Sequence, residues 1–408
     1  MPEEKSTPQR FIGLDLHKHY LIAIGVNPAG EQVCGPSRVQ LSHLDEWGRK
    51  HLTPQDALAL EMTTNTWTVY DELRPLAHSV TVVHPPHVAL IVRAQVKTDA
   101  RAALALAQLH AKGLLPALWV PPPAVREQRA TVAQRTKFTR LAAQAKNRLH
   151  AALHRHHLPL PTEGSPFTPA NRDWWLKLPV SASERARLQS DLDTLAFAEQ
   201  QIETLTTALT AEAAPDPRVT LLVQLPGFSL VNSLTVLAAI GDIRRFPTDK
   251  KLVGYAGLGT RVHDSGQLHR TGRITKAGRR DLRAALVEAA QTAANTHPHW
   301  QAELARLEPR LGRNKAIVAI ARKLLVAVWH VLTNEEADRF AEPERVARKF
   351  MHHAYVLGRE NRPADQSVGD YVREQLDRLK IGETVNAVSH GQARTVKLPP
   401  SRLTPAGS

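Results

Sequence analysis

The chain contains 408 residues with a formal net charge of +14 and an isoelectric point near 10.1, which favours nucleic acid over small acidic molecules as a partner. Its one cysteine, Cys34, excludes an intramolecular disulfide and a cysteine-based zinc site. The hydrophobic fraction is 42%, no apolar run approaches the length of a membrane span, and the polar N-terminus is unlike a signal peptide. We therefore expect a soluble intracellular protein of two or three domains.

Residues 1–124 have the pattern of an α/β domain. Alternating apolar residues predict strands over 11–17 and 20–26 and a weaker strand over 32–39, followed by a helix over 41–51. A buried strand over 57–62, a helix through Trp67 and a strand over 79–83 complete the set. The predicted order is therefore three strands, a helix, a strand, a helix and a strand. This is the order of a ribonuclease-H-like sheet, although other α/β domains begin in the same way.

Three acidic residues of this domain fall where a sheet edge could collect them. Asp15 lies inside the first strand, where an unpaired carboxylate is costly to bury, and Glu61 ends the fourth. Asp99 precedes the apolar helix 102–109, a position that a helix-capping acid would also take. Acids at strand ends and at a helix start can converge on one Mg²⁺ ion. Asp15, Glu61 and Asp99 are therefore candidate metal ligands and catalytic residues.

Residues 125–214 predict a helical hairpin or coiled-coil arm. Three prolines at 121–123 end the first domain. A helix over 126–157 carries eight Lys/Arg and one acid, whereas a helix over 183–212 carries six acids, two Arg and a leucine stripe close to heptad spacing. The ordinary interpretation is a dimerisation or spacer element, and the basic helix is a further candidate for contact with nucleic acid.

Residues 215–340 predict a mostly helical third domain. A helix ending near Leu225, the turn Pro226-Gly227 and a second helix resemble a helix-hairpin-helix, whose amides bind phosphate, with Ser229 in place of its second glycine. Apolar helices over 284–294 and 315–332 are expected to form the core. We expect further helices over 341–388 and a disordered tail over 389–408, which is polar and lacks periodicity.

A strongly basic stretch runs from Arg244 to Arg283, with eleven Lys/Arg against three Asp/Glu. Charge of one sign at this density indicates a polyanionic ligand rather than a solvated helix face. Within it, Ser265 stands beside Gly266 and near arginines, which suits attack on a phosphodiester. The candidate nucleic-acid contacts are Arg261, Arg270, Arg273, Lys276, Arg279 and Arg280.

Short motifs in a fixed order connect these regions to one family. They are Gly13-Leu-Asp-Leu-His17, Glu61, Lys97-Thr-Asp99, Pro226-Gly227, Ile240-Gly-Asp242, Phe246-Pro247, Gly254-Tyr-Ala-Gly-Leu258, Ser265-Gly266 and Gly272-Arg-Ile-Thr-Lys276. From about residue 11 to residue 290 the chain resembles the DEDD transposases related to the Piv invertase, a group that includes the bridge-RNA-guided recombinases.

The resemblance implies a RuvC-like nuclease domain, a coiled-coil region and a transposase domain. In this family four acids bind Mg²⁺ and a serine forms a covalent phosphoserine link to DNA. Asp15, Glu61 and Asp99 match three of the acids, and Ser265 matches the serine. The resemblance also implies a noncoding guide RNA that selects donor and target DNA, and an active site shared between subunits of a dimer or tetramer. It places the protein in the cytoplasm of a bacterial or archaeal cell, at the nucleoid.

The fourth acid of the family pattern is absent. It would follow Asp99 by one helical turn, at the position of Ala102, and no Asp or Glu occurs between Asp99 and Glu127 to replace it. We expect the loss to weaken metal binding and impair catalysis. Ala102 is either an introduced Asp-to-Ala change or a natural departure, and we favour the former because the surrounding motif is intact.

Two other functional hypotheses remain open. The first domain could act as a Mg²⁺-dependent junction-resolving nuclease that uses water and is indifferent to Ser265, or the chain could be a catalytically inactive protein that binds RNA and DNA.

The remaining motifs predict no further site. His17, His19 and the histidine-rich run 154–157 lack metal-site spacing and are expected to lie on the surface or contact RNA. Gly254 and Gly257 form no nucleotide fingerprint and are expected to let two backbones approach closely.

Overall fold

The computed structural model describes residues 7–91, 98–161, 164–265, 268–363, 365–390 and 394–403. Of these, residues 89–91, 262–265, 268–271, 390 and 394 are described by their backbone only. The chain forms two compact units, Met1–Pro121 and Pro122–Ser408.

A five-stranded mixed sheet forms the first unit. Its strands are β1 (Arg10–Leu16), β2 (Tyr20–Val26), β3 (Gln32–Gln40), β4 (Asp56–Glu61) and β5 (Ser79–Val83), in the order β3-β2-β1-β4-β5. β1 pairs antiparallel with β2 and parallel with β4, and β4 is parallel to β5. The helices are α1 (Leu44–His51), α2 (Thr66–Leu73), α3 (Pro85–Ile91) and α4 (Asp99–Ala111). The predicted succession of strands and helices up to β5 is confirmed.

Helix α4 packs directly on the sheet because β1 has a glycine beneath it. A Cβ on Gly13 would lie 1.9 Å from the carbonyl oxygen of Ala103 and 2.7 Å from the amide nitrogen of Ala107. Both alanines are fully buried, so small residues on each side allow the two backbones to touch. Asp15 follows Gly13 by two residues on the same face of β1, and Asp99 begins α4. The contact therefore brings these two acids to one edge.

Gly13→Ala is expected to destabilise the first unit by about 2–3 kcal/mol, because the new methyl group would push α4 away from β1. Hydrogen–deuterium exchange of the full chain, followed in peptides from β1 and α4, measures the loss locally. Gly254→Ala is the matched control, since a Cβ at Gly254 would meet no atom within 4 Å. Unchanged protection of β1 in Gly13→Ala would contradict this account of the contact.

Two long helices of the second unit form the antiparallel hairpin that their opposite charges predict. The hairpin consists of α5 (Pro123–Arg155), the short α6 (Arg172–Leu176) and α7 (Ala182–Ala213). Arg148 of α5 pairs with Asp191 of α7 at 2.6 Å, and Trp175 of α6 is fully buried between them in one apolar cluster.

The rest of the second unit is mostly helical. Its helices are α8 (Pro217–Val223), α9 (Leu230–Ile240), α10 (Asp249–Tyr255), α11 (Arg280–Thr296), α12 (Pro298–Leu311), α13 (Arg313–Asn334), α14 (Pro343–Leu357) and α15 (Val368–Arg378). Strands β6 (Thr260–Ser265) and β7 (Leu268–Ile274) form a hairpin between α10 and α11. Helix α13 is long and apolar enough to cross a membrane, but half of its apolar stretch is buried, as in a core helix.

The turn between α8 and α9 is shaped by packing. Gly227 has a φ of 80°, and a Cβ there would lie 2.0 Å from the carbonyl oxygen of Ala289 in α11. Ser229 caps α9 by accepting a hydrogen bond from the amide of Asn232 at 3.2 Å. The observed helix, turn and helix agree with the predicted helix-hairpin-helix, whereas its phosphate contact stays a prediction, because the glycine of the turn makes room for α11.

The predicted disordered tail is instead folded over residues 394–403. Strands β8 (Ala387–His390) and β9 (Arg394–Lys397) pair antiparallel, and Leu398 is buried in the core of the second unit. Arg373 of α15 donates a hydrogen bond to the carbonyl oxygen of Pro399 at 2.8 Å. Strands of four residues are too short for their alternation to stand out from a polar composition, which is why the prediction failed.

Leu398→Ala is expected to lower the free energy of unfolding by about 2–4 kcal/mol, because it removes a buried side chain from the core. Lys397→Ala, at the exposed neighbouring position, should change it by less than about 0.5 kcal/mol. Urea denaturation of both variants, monitored by circular dichroism, makes the comparison. A disordered tail would leave the two variants indistinguishable.

Candidate active site

The carboxylates of Asp15 and Asp99 meet at the edge of the sheet in the first unit, with the imidazole of His17 between them. His17 Nε2 lies 3.2 Å from Asp15 Oδ2 and 3.2 Å from Asp99 Oδ2. One ligand atom from each of the three side chains lies within 4.8 Å of the others, so a single cation could contact all three. The structure therefore brings together two of the three predicted metal ligands and adds a histidine.

A second layer of side chains orients Asp99 and His17. The Tyr20 hydroxyl donates a hydrogen bond to Asp99 Oδ2 at 3.1 Å, and the Tyr20 ring stacks on the imidazole with centroids 4.5 Å apart. The Arg38 guanidinium lies 3.9 Å from the centroid of the same tyrosine ring. Asn65 Nδ2 donates to the backbone oxygen of His17 at 3.0 Å. These contacts restrict where both site residues can point.

The electrostatics of this edge favour a cation. Burial raises the pKa of Asp15; His17 opposes the rise, and the negative charge of Asp99 adds to it. The hydrogen bond to Asp99 raises the pKa of Tyr20, which keeps the hydroxyl as the donor. A half-buried carboxylate beside a second carboxylate is relieved by a positive charge between them.

Glu61 flanks the group without joining it. It is the last residue of β4, and its neighbour Leu60 pairs with Leu14 of β1. This parallel register places positions 61 and 15 side by side at the carboxyl ends of adjacent strands. Within the described parts of the chain, the group whose ligand atoms could share one cation consists of Asp15, His17 and Asp99.

Ser265 is the last residue of β6 and pairs with Leu268 of β7, so its backbone lies at the tip of a two-stranded hairpin. Gly266 lies outside the described residues, as do the side chains of Asp264, Ser265 and Arg270. The role of Ser265 as a nucleophile stays a prediction.

Close backbone packing holds the basic residues that follow this hairpin. A Cβ on Gly257 would lie 3.0 Å from the carbonyl oxygen of Ala277, and one on Gly278 would lie 2.2 Å from that of Tyr255. The predicted close approach is therefore confirmed for Gly257. It is wrong for Gly254, where a Cβ would meet no atom within 4 Å.

Most of the predicted nucleic-acid contacts are available to solvent. Arg279 is partly buried and donates a hydrogen bond to Asp281 Oδ1 at 3.0 Å. Four others have exposed side chains, namely Arg261, Arg273, Lys276 and Arg280. Together they present positive charge at the base of the hairpin, where Thr260 pairs with Ile274, and at the start of α11, which suits a phosphate backbone.

Two arginines that the sequence did not single out lie near Arg279. Arg129 of α5 donates hydrogen bonds to the carbonyl oxygens of Ala238 and Ala239 at 2.7 and 2.9 Å. Burial lowers the pKa of Arg129 and of Arg245, and the positive charge of Arg279 lowers both further. Three guanidinium groups that repel one another in this way favour a nearby anion. They come from three separate segments, so no local pattern signals them.

The chain also matches known proteins. Residues 219–305 match the transposase family described as IS116/IS110/IS902, and residues 12–158 match the DEDD transposase family of IS110. A probable family 20 transposase of Pseudomonas aeruginosa is 28% identical over 341 residues, which cover 80% of this chain and 98% of that protein. The pilin gene-inverting protein of Moraxella bovis is 28% identical over 335 residues, which cover 79% and 95%. These matches identify the chain as a DNA transposase, similar over both matched segments to the IS110/IS116 family.

The position of the missing acid in the transposase lies on the accessible side of α4. Ala102 is exposed, whereas the neighbouring Ala103 is fully buried against β1. A larger side chain at position 102 would therefore not disturb the contact between α4 and the sheet. An alanine at this position offers no ligand but leaves Asp15, His17 and Asp99 together.

His17 is the member of this group that the sequence did not place among the candidate ligands. It was expected on the surface or in contact with RNA, but it lies 3.2 Å from two carboxylates. A signal was present, because His17 follows Asp15 by two residues and strand alternation places both on one face. Spacing rules for zinc sites do not detect a histidine and a carboxylate paired along one strand.

Proposed function

We propose that this transposase is an RNA-guided DNA recombinase that moves an insertion sequence by cutting and exchanging DNA strands through a covalent serine–DNA intermediate. The observation that carries the proposal is the convergence of Asp15 and Asp99 on one point at the sheet edge, each 3.2 Å from His17. The likeness to a pilin gene-inverting protein supports recombination over simple hydrolysis.

Mg²⁺ suits the carboxylates of this edge, and we assign Asp15, Glu61 and Asp99 to hold it. Carboxylate oxygens are the protein ligands that Mg²⁺ prefers, and the ion keeps several waters in its octahedral shell. When bound, it would neutralise charge on a scissile phosphate. Tyr20 orients the Asp99 carboxylate by its hydrogen bond at 3.1 Å.

Ser265 is the proposed nucleophile. Its hydroxyl oxygen forms a bond to phosphorus, the bond from phosphorus to one deoxyribose oxygen breaks, and the serine proton balances the charge on that leaving oxygen. The phosphoserine link conserves the energy of the broken phosphodiester bond. A hydroxyl of another DNA strand can therefore attack the phosphorus, release the serine and form a new phosphodiester. Exposed cations at the base of the same hairpin, such as Arg261 and Arg273, are suited to bind the phosphate backbone of the DNA that reaches the serine.

The proposed partners are donor and target DNA, a noncoding guide RNA, and further copies of the chain as a homodimer that assembles to a tetramer. The formal charge of +14 and the four exposed cations near the hairpin support binding to a polyanion. Guidance by RNA and the assembly state rest on the family resemblance.

Capture of the tagged protein from cells that carry its element, followed by sequencing of the bound RNA, tests the guided function. RNA from the flanks of the element is expected to be enriched, and charge removal at Arg261, Arg273 and Lys276 together should reduce its recovery. A matched variant that removes three exposed arginines elsewhere, Arg310, Arg322 and Arg359, should retain it. Recovery of no RNA from the element would overturn the proposal of guidance.

A further inference from the structure

We propose that His17 is a direct ligand of the catalytic cation and that its nitrogen shifts the preference of the site from Mg²⁺, which the carboxylates alone would favour, toward Mn²⁺. The inference rests on the proposed metal role of Asp15 and Asp99. It goes beyond that role because no acid of the DEDD pattern accounts for an imidazole between the two carboxylates.

The geometry of the three side chains already approaches that of a coordination shell. Neighbouring ligands of an octahedral Mg²⁺ or Mn²⁺ ion stand about 3 Å apart, since each lies roughly 2.1 Å from the ion at right angles to the next. His17 Nε2 is 3.2 Å from a carboxylate oxygen of Asp15 and 3.2 Å from one of Asp99. A cation can therefore contact all three side chains with only small movements.

Neighbouring residues also fix the orientation of the imidazole. It stacks on Tyr20 with an angle of 19° between the rings, and Tyr20 in turn donates to Asp99 at 3.1 Å. The backbone oxygen of His17 accepts a hydrogen bond from Asn65 at 3.0 Å. One tyrosine thus positions two of the three side chains, which is the arrangement of a supported ligand set.

The choice of metal follows from the ligand atoms. Mg²⁺ strongly favours oxygen ligands and water, whereas later divalent ions accept imidazole nitrogen more readily. With Ala102 in place of a fourth carboxylate, nitrogen supplies one of three protein ligands in the described group. This composition lowers the affinity for Mg²⁺ more than that for Mn²⁺.

Metal binding to the full chain, stripped of metal with a chelator, tests the inference without any DNA reaction. Electron paramagnetic resonance measures free Mn²⁺, competition measures Mg²⁺, and pulsed measurements detect nitrogen bonded to Mn²⁺. The wild-type protein should show a nitrogen coupling. His17→Ala should remove it and lower the ratio of Mn²⁺ to Mg²⁺ affinity by about tenfold or more.

Two variants complete the design. His17→Asp, which makes the group all-oxygen, should keep metal binding but favour Mg²⁺ relative to wild type. His19→Ala, at an exposed neighbouring position, should leave both affinities unchanged. The inference is overturned if Mn²⁺ fails to bind, if it binds without nitrogen coupling, or if Asp15→Asn leaves its binding unaltered. Because none of these readouts involves Ser265, a failure here is distinct from a failure of the serine mechanism.

Discussion

Ser265→Ala is expected to abolish the covalent protein–DNA adduct and to lower strand exchange by roughly 10³-fold or more, because no other group would replace the lost oxygen nucleophile. The adduct is measured with labelled donor and target DNA and the guide RNA, after denaturation of the protein.

The control for this experiment is Thr275→Ala, which removes another hydroxyl just after the end of β7. It should form the adduct at close to the wild-type level. An adduct that persists in Ser265→Ala would show that the serine assignment is wrong. Free phosphate ends without an adduct in the unsubstituted chain would instead support a junction-resolving nuclease that uses water.

Ala102→Asp is expected to raise strand exchange by about 10²-fold, because it supplies the fourth carboxylate one helical turn from Asp99. Position 102 is exposed, so the new side chain can turn toward the sheet edge without opening the contact of Ala103 with β1. The added charge should also strengthen metal binding, which calorimetry measures directly.

Gln108→Asp is the matched control, since it adds the same charge at another exposed position of α4. It should change neither metal binding nor strand exchange. If Ala102→Asp binds metal more tightly but stays inactive in the presence of DNA and guide RNA, the result favours a protein that binds nucleic acid without catalysis.

Local sequence patterns predicted most of the elements of the α/β unit. Strands β1 and β2 alternate over seven residues each, and β4 and β5 are short apolar runs, so their order could be predicted. The opposite charges of α5 and α7 likewise signalled a helical pair before any contact was known.

Other features depended on contacts between distant segments. The polar composition after residue 389 concealed a short hairpin, because the burial of Leu398 in the helical core and a hydrogen bond from the distant Arg373 help to stabilise it. The glycine of the α8–α9 turn suggested a phosphate site, whereas its missing side chain makes room for Ala289. The arginines 129, 245 and 279 come together from three segments that share no periodicity.

The amino-acid sequence by itself indicated the likeness to a transposase family, the element order of the α/β unit and the candidate acids Asp15 and Asp99, because motifs and strand alternation are local. Only the tertiary structure decided which side chains share the sheet edge. Gly13 lets α4 reach β1, and this approach brings Asp99 to within 3.2 Å of His17. Such a distance depends on packing between segments more than eighty residues apart, which no local pattern encodes.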